Sequence, residues 1–186
     1  MEPDQVARFE RLFAAHYGDL MRFATRRVGA DAAGDVVSST FLIAWRRFAD
    51  VPAGQSRAWL YGTARRVIAN ELRGRERRDR LGRRVAAHVE MAADDHAGAV
   101  TEQLRVRAVL GELAPGDQEL LRLTEWDGLD VDEVAAVLGC SPAAVKVRLH
   151  RARRRFASRL AAADRADEVH DRTVRPITLP EGNATS

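Results

Sequence analysis

Between Asp130 and Leu160 the order of capping residues leaves the backbone little choice. Asp130 is placed to cap a short helix, with Glu133 three residues on as the reciprocal partner of a capping box. Val131, Val134, Ala135 and Leu138 make the buried side of that helix. Gly139 then stands where a helix C-terminus needs a left-handed residue, Ser141 can cap again, and Pro142 takes the first helical position, where its missing N–H costs nothing. The pattern predicts two helices joined by a turn of about three residues, the geometry that helix-turn-helix DNA readers require.

In the second of these helices Val145, Leu149, Ala152, Phe156 and Leu160 recur at three- and four-residue steps and must face a core. Ser141 at the cap and Ala143, Ala144, Lys146, Val147, Arg148, Arg151 and Arg154 are left to form the outer surface. Small residues at its N-terminal end allow close approach to a major groove, and the cations can donate to phosphates or guanine edges. The plain alternative is a helical hairpin with a merely charged outer face. The coincidence of cap, glycine, cap and proline with a basic face favours DNA.

Charge is segregated along the chain. The formal net charge of the 186 residues is only +3, yet 51–84 holds ten arginines and three acids, and 146–160 holds Lys146, six arginines and no acid. Between them, 85–100 has three acids and no cation, and 101–145 has nine acids against three arginines. Two basic blocks divided by acidic sequence imply two anion-binding surfaces. The acidic stretches are also placed to fold back on the DNA-binding faces of the free protein.

The remaining periodicity is helical throughout. Phe9, Leu12, Phe13, His16, Leu20 and Phe23 mark a helix over 6–28, and a second, capped by Asp31, runs to about Phe48 with Val36, Val37, Thr40, Phe41, Ala44 and Trp45 inside. A breaker stretch from Asp50 to Ser56 precedes a third helix to Arg78, with Leu60, Ala64, Val67, Ile68 and Leu72 as its stripe. A helix over 101–113 and another from Pro115 to about Trp126 lead into the helix-turn-helix. The expected fold is all-α: two small helical domains, 1–80 and 101–162, a flexible linker over 81–100 and a disordered tail over 163–186.

Other classes find little support. The lone Cys140 excludes an internal disulfide framework and a four-cysteine zinc site. His16, His88, His96, His150 and His170 are scattered, and neither a phosphate loop nor an HExxH spacing is present, so no catalytic residue, metal or cofactor is expected. With no apolar run of membrane-spanning length and no secretion signal, the chain is expected to be soluble and cytoplasmic, without membrane insertion.

Asp31–Arg47 resembles the polymerase-binding helix of bacterial extracytoplasmic-function sigma factors, and Arg57–Arg75 resembles the promoter-melting helix that follows it. Leu113–Leu123 and Leu129–Arg155 are similar to the C-terminal region of the same family. The resemblance covers roughly 6–160, in the family's order. It implies a region two, which docks on the β′ clamp helices of RNA polymerase core and opens the −10 element, and a region four, which meets the β flap and reads the −35 element as duplex. It also implies an anti-sigma factor as a partner.

Carried onto this chain, the resemblance gives Asp35, Ser38, Ser39, Leu42 and Arg46 as polymerase contacts, with Ser38-Ser39 standing where the family commonly has Gln-Glu or a similar acidic pair. For −10 DNA it gives the loop residues Gly54, Gln55 and Ser56 and the helix residues Arg57, Trp59, Tyr61, Arg65, Arg66, Asn70 and Arg73. Melted DNA needs a basic track and exposed π-faces, which this segment offers; core packing is the competing role for Trp59. The rival reading is a helix-turn-helix regulator acting as a homodimer on a palindrome. The sigma reading expects a monomer and leaves no basic segment without a role.

Overall fold

In a computed structural model, the described residues, 3–81 and 97–174, form seven α-helices and no strand. They are α1 (Pro3–Val28), α2 (Ala30–Arg46), α3 (Ser56–Leu81), α4 (Ala97–Gly111), α5 (Pro115–Leu121), α6 (Val131–Leu138) and α7 (Pro142–Val174). Helices α1, α2 and α3 make one bundle, and α4 to α7 make a second that contains the helix-turn-helix.

The first bundle follows its apolar spacing. Leu20, Phe23, Ala24, Val36, Val37, Phe41, Leu60 and Ile68 are buried, each large side chain removing enough apolar surface to stabilise the fold by about 1.5–3 kcal/mol. Phe23 and Tyr61 meet edge to face at 4.8 Å. Thr40 is buried without cost because its hydroxyl donates to the Val36 carbonyl at 2.7 Å. Asp31 is not the cap of α2: Gly29 occupies that place without a side-chain cap bond, and Asp31 lies within the first turn, where a carboxylate favours the positive end of the helix dipole.

The second bundle has the caps expected of it. Asp130 accepts from the Glu133 N–H at 2.8 Å and the Asp130 N–H donates to the Glu133 carboxylate at 3.0 Å, closing the capping box. Gly139 has φ 65°, and the Ser141 hydroxyl accepts from the Ala144 N–H at 3.2 Å. The helix after Pro115 ends differently from its even apolar spacing. From Arg122 to Trp126 it widens into a π turn, and the Asp127 N–H reaches back five residues to the Arg122 carbonyl at 3.0 Å. Gly128, with φ 62°, then turns the chain toward α6.

Two expectations change. Residues 163–174 are not a disordered tail but continue α7 to Val174, since Ala161, Ala162 and Ala163 favour helix and no glycine or proline interrupts the sequence before Pro176. The linker ends where α3 reaches Leu81 and α4 begins at Ala97. Residues 82–96, with His88 and His96, and 175–186 lie outside the described residues.

The bundles abut. Helix α3 packs on α1 and α2 on one side and on α6 on the other, and the buried side chains form one cluster from Leu20 to Ala152. Gly62 makes the crossing with α6 close: a Cβ there would lie 3.8 Å from the Val137 Cα.

Candidate nucleic-acid interface

Helix α7 divides its side chains as its spacing requires. Val145, Leu149 and Ala152 are buried, Phe156 is half-buried, and Lys146, Val147, Arg148, Arg151 and Arg154 are exposed, with Ser141 and Ala143 exposed at the start and Ala144 partly so. Tertiary contacts then sort the basic block further. Arg155 makes a bidentate pair with Asp117 at 2.8 and 2.9 Å, Arg153 holds Glu125 at 2.7 and 3.0 Å, and Arg159 meets Glu112 at 3.0 Å. These three arginines tie α7 to its own bundle. Lys146, Arg148, Arg151 and Arg154 make no ion pair or hydrogen bond among the described residues, so their charge is available to an incoming phosphate.

Helix α3 is arranged otherwise. Arg57 donates to the Asp127 carbonyl at 2.6 Å, to the Gly128 carbonyl at 2.9 Å and to the Glu133 carboxylate at 3.0 Å. Tyr61 is buried, its hydroxyl's pKa raised chiefly by that burial, and its ring lies against Phe23. Trp59 is half-buried and lines a cleft of about 320 Å³ with Gly62, Arg66 and Ala136 of α6. Arg65 lies 3.6 Å from Glu119, Arg66 donates to Thr63 at 3.1 Å, and Arg73 donates to Asn70. Arg65, Arg66, Asn70 and Arg73 are all exposed.

The loop before α3 places Gly54 and Gln55 at the surface and half-buries Ser56, whose hydroxyl lies 3.2 Å from His16 Nε2. Arg8, Arg11, His16, Phe48 and Gly54 help to line a cleft of about 370 Å³ there. Burial pushes the His16 pKa below its ordinary value, with Asp19 and Glu133 opposing and Arg57 adding to the depression.

On α2 all five expected contact residues, Asp35, Ser38, Ser39, Leu42 and Arg46, are exposed, opposite Val36, Val37, Thr40 and Ala44. On α1 the structure adds an exposed aromatic pair that the apolar spacing did not single out. Phe13, expected inside, is 40% exposed, and Tyr17 is 43% exposed; their rings meet at 5.0 Å, and Phe13 packs on Phe41 at 4.6 Å. The signal was present in sequence as a second stripe, Phe13 and Tyr17 at four-residue spacing, beside the main one.

Residues 12–78 match Sigma-70 region 2, and residues 103–156 match Sigma-70, region 4. The RNA polymerase sigma factor CnrH of Cupriavidus metallidurans is 34% identical over 171 residues, covering 83% of this chain and 87% of that protein. The chain belongs to the sigma-70 family, in its extracytoplasmic-function branch. The ECF RNA polymerase sigma factor SigC of Mycobacterium tuberculosis is 30% identical over 145 residues, covering 77% of this sigma factor and 78% of its own length. Among solved structures, that of CnrH in complex with the cytosolic domain of CnrY aligns with TM-score 0.59 and 29% identity over 83% of this chain and 88% of that one. The sigma factor RpoE in complex with the anti-sigma factor NepR from Bartonella quintana aligns with TM-score 0.61 and 25% identity over 82% and 96%.

The contact between the two regions of this sigma factor includes buried ion pairs beside its apolar packing. The Asp127 side chain is fully buried and receives both Arg26 and Arg27, the latter at 2.9 Å. Arg27 also lies 3.4 Å from Glu119 and stacks over the Phe23 ring at 3.7 Å. Beside it a cleft of about 630 Å³ runs between α3 and α5, with Arg65, Arg73 and Arg122 on its walls and Ile68, Leu72 and Pro115 among its apolar lining. Burial, and then Arg27, lower the Arg122 pKa from its ordinary value. Among the described residues no group of His, Cys, Asp and Glu is arranged to hold a metal ion, and no helix is long and apolar enough to cross a membrane.

Proposed function

We propose that this chain is a non-enzymatic promoter-specificity subunit, which binds RNA polymerase core in the cytoplasm and directs initiation by reading a −35 duplex with α7 and opening a −10 element with α3 and the loop before it. The observation that carries the reading is the division of α7. Three of its arginines are committed to carboxylates of the same bundle, and the four cations of the expected DNA face are left unpaired and exposed. A helix that needed charge only for solubility has no reason to sort it this way.

Polymerase docking belongs to α2 and the edge of α1, where Asp35, Ser38, Ser39, Leu42 and Arg46 share a face and Phe13 and Tyr17 add exposed apolar surface. Exposed aromatic and aliphatic groups rimmed by polar ones suit a protein partner. An anti-sigma factor is proposed as a further partner, because the similar sigma factor RpoE has been solved in complex with the anti-sigma factor NepR.

The test is reconstitution. Purified core polymerase with this protein should give run-off transcripts from genomic DNA at start sites that share spaced −35 and −10 elements. Failure to co-purify with core polymerase in a pull-down would remove the sigma role.

A further inference from the structure

We propose that the cleft between α3 and α5 is a binding site for a nucleoside polyphosphate, whose phosphates are taken by arginines of both regions and whose base lies on the apolar part of the wall. The site is separate from the reading of promoter DNA and does not depend on it.

Charge is the first observation. Arg26, Arg27, Arg65, Arg73 and Arg122 line the cleft, and among its described lining residues Glu119 is the one carboxylate. Glu119 is already shared between Arg27 at 3.4 Å and Arg65 at 3.6 Å, and Asp127 is taken up by Arg26 and Arg27. Arg122 is left over. It donates to the neutral amide oxygen of Gln118 at 3.2 Å, and among the described residues no carboxylate pairs with it. Burial and the neighbouring Arg27 both work against its charge. Arg27 lines the same cleft with a side chain 7% exposed, and its Nε finds no hydrogen-bond partner among the described residues. Cations gathered with too few carboxylates favour an anion from outside, and guanidiniums suit phosphate because they donate in pairs.

Shape selects among anions. At about 630 Å³ the cleft is larger than those beside Trp59 and His16, of about 320 and 370 Å³, and its size is that of a small-molecule site. Inorganic phosphate would fill little of it. Ile68, Ala69, Leu72 and Pro115 give part of the lining an apolar character, and Leu72 is left 40% exposed. A ligand with adjacent charges and a flat ring satisfies both parts of the wall. The arginines come from α1, from α3 and from the start of the π turn, so the ligand touches both regions at once and its binding is coupled to their placement. Arg65 and Arg73 are also expected −10 residues, but Arg26, Arg27 and Arg122 are not, and Arg66 does not line the cleft.

The test is calorimetric titration of the full chain at low salt, without divalent metal, with ATP, GTP and inorganic tripolyphosphate as probes. The expected result is that at least one nucleotide binds about tenfold or more tighter than tripolyphosphate, and raises the melting temperature by about 5 °C at about a hundredfold excess over its Kd. Arg122→Gln should weaken that nucleotide about tenfold, and Leu72→Asp, which puts a carboxylate at an exposed position on the lining, should do the same without disturbing a buried group. Arg66→Gln and Arg154→Gln, at exposed positions outside the cleft lining, should leave its affinity unchanged. The site is overturned by any of three results: neither nucleotide binds the unaltered chain, tripolyphosphate binds as tightly as the nucleotides, or Arg66→Gln and Arg154→Gln weaken binding as much as Leu72→Asp. None of these bears on co-purification with core polymerase, which tests the sigma role by itself.

Discussion

Arg27 holds Asp127 at 2.9 Å across a hundred residues of sequence, and neither group reaches water to any extent: the Arg27 side chain is 7% exposed and the Asp127 side chain 0%. The guanidinium carbon lies 3.7 Å from the centre of the Phe23 ring, so the cation meets a carboxylate and an aromatic face together. This buried ion pair adds to the packing of α3 on α6 in joining the two regions.

Removing that carboxylate should therefore be costly. Asp127→Ala is expected to lower the unfolding free energy by about 3 kcal/mol, because Arg26 loses its carboxylate and the buried Arg27 keeps only Glu119 at 3.4 Å. Asp132→Ala, at an exposed position nearby, should change it by less than about 0.5 kcal/mol. Urea unfolding followed by circular dichroism compares the two, and equal midpoints would show that Asp127 is solvated in solution.

The sorting of arginines on α7 gives a prediction in salt dependence. Arg148→Ala and Arg151→Ala should each weaken duplex binding and reduce the slope of log affinity against log salt by about one. Arg153→Ala and Arg155→Ala should leave the slope unchanged, because those guanidiniums are already paired with Glu125 and Asp117. A slope that falls equally for all four would mean that the ion pairs open on DNA.

Docking on polymerase is tested at Leu42, which is 49% exposed on the outer face of α2. Leu42→Glu is expected to weaken binding to core polymerase at least about tenfold without altering helix content. Phe13→Ser should weaken binding in the same direction if the aromatic pair belongs to the same surface, while the duplex affinity of α7 stays constant. Binding at the native level in both variants would place the docking surface elsewhere.

Acid should destabilise the protein through His16. Its pKa in the folded chain is lowered by burial, so below the ordinary value of 6.5 the unfolded chain takes up more protons than the folded one. Stability is then full above that pH and declines as pH falls below it. His16→Gln should flatten this part of the profile while keeping a hydrogen bond to Ser56 within reach. A decline of the same steepness in His16→Gln would assign it to other groups.

Much of this was legible along the chain. Capping chemistry is local, so Asp130, Glu133, Gly139, Ser141 and Pro142 located the helix-turn-helix without knowledge of the fold. Apolar spacing sorted α2 and α7 into inner and outer faces for the same reason. Local rules erred where two signals were equivalent. Asp31 and Gly29 both fit the start of α2, and Phe13 stood on one stripe with Phe9 while also beginning another with Tyr17.

What only the tertiary structure decided is which charges meet. Segment counts placed seven excess positive charges in each of two blocks, and nothing in them distinguished Arg148 from Arg155 or Arg57 from Arg66. An ion pair depends on the approach of two elements in space, and the carboxylates that select among these arginines lie 28 to 76 residues away. The sequence alone determined seven helices' worth of periodicity, a helix-turn-helix and two basic blocks. Tertiary packing decided that Arg57 and Arg65 of one block and Arg153, Arg155 and Arg159 of the other are paired, while among the described residues Lys146, Arg148, Arg151 and Arg154 are not.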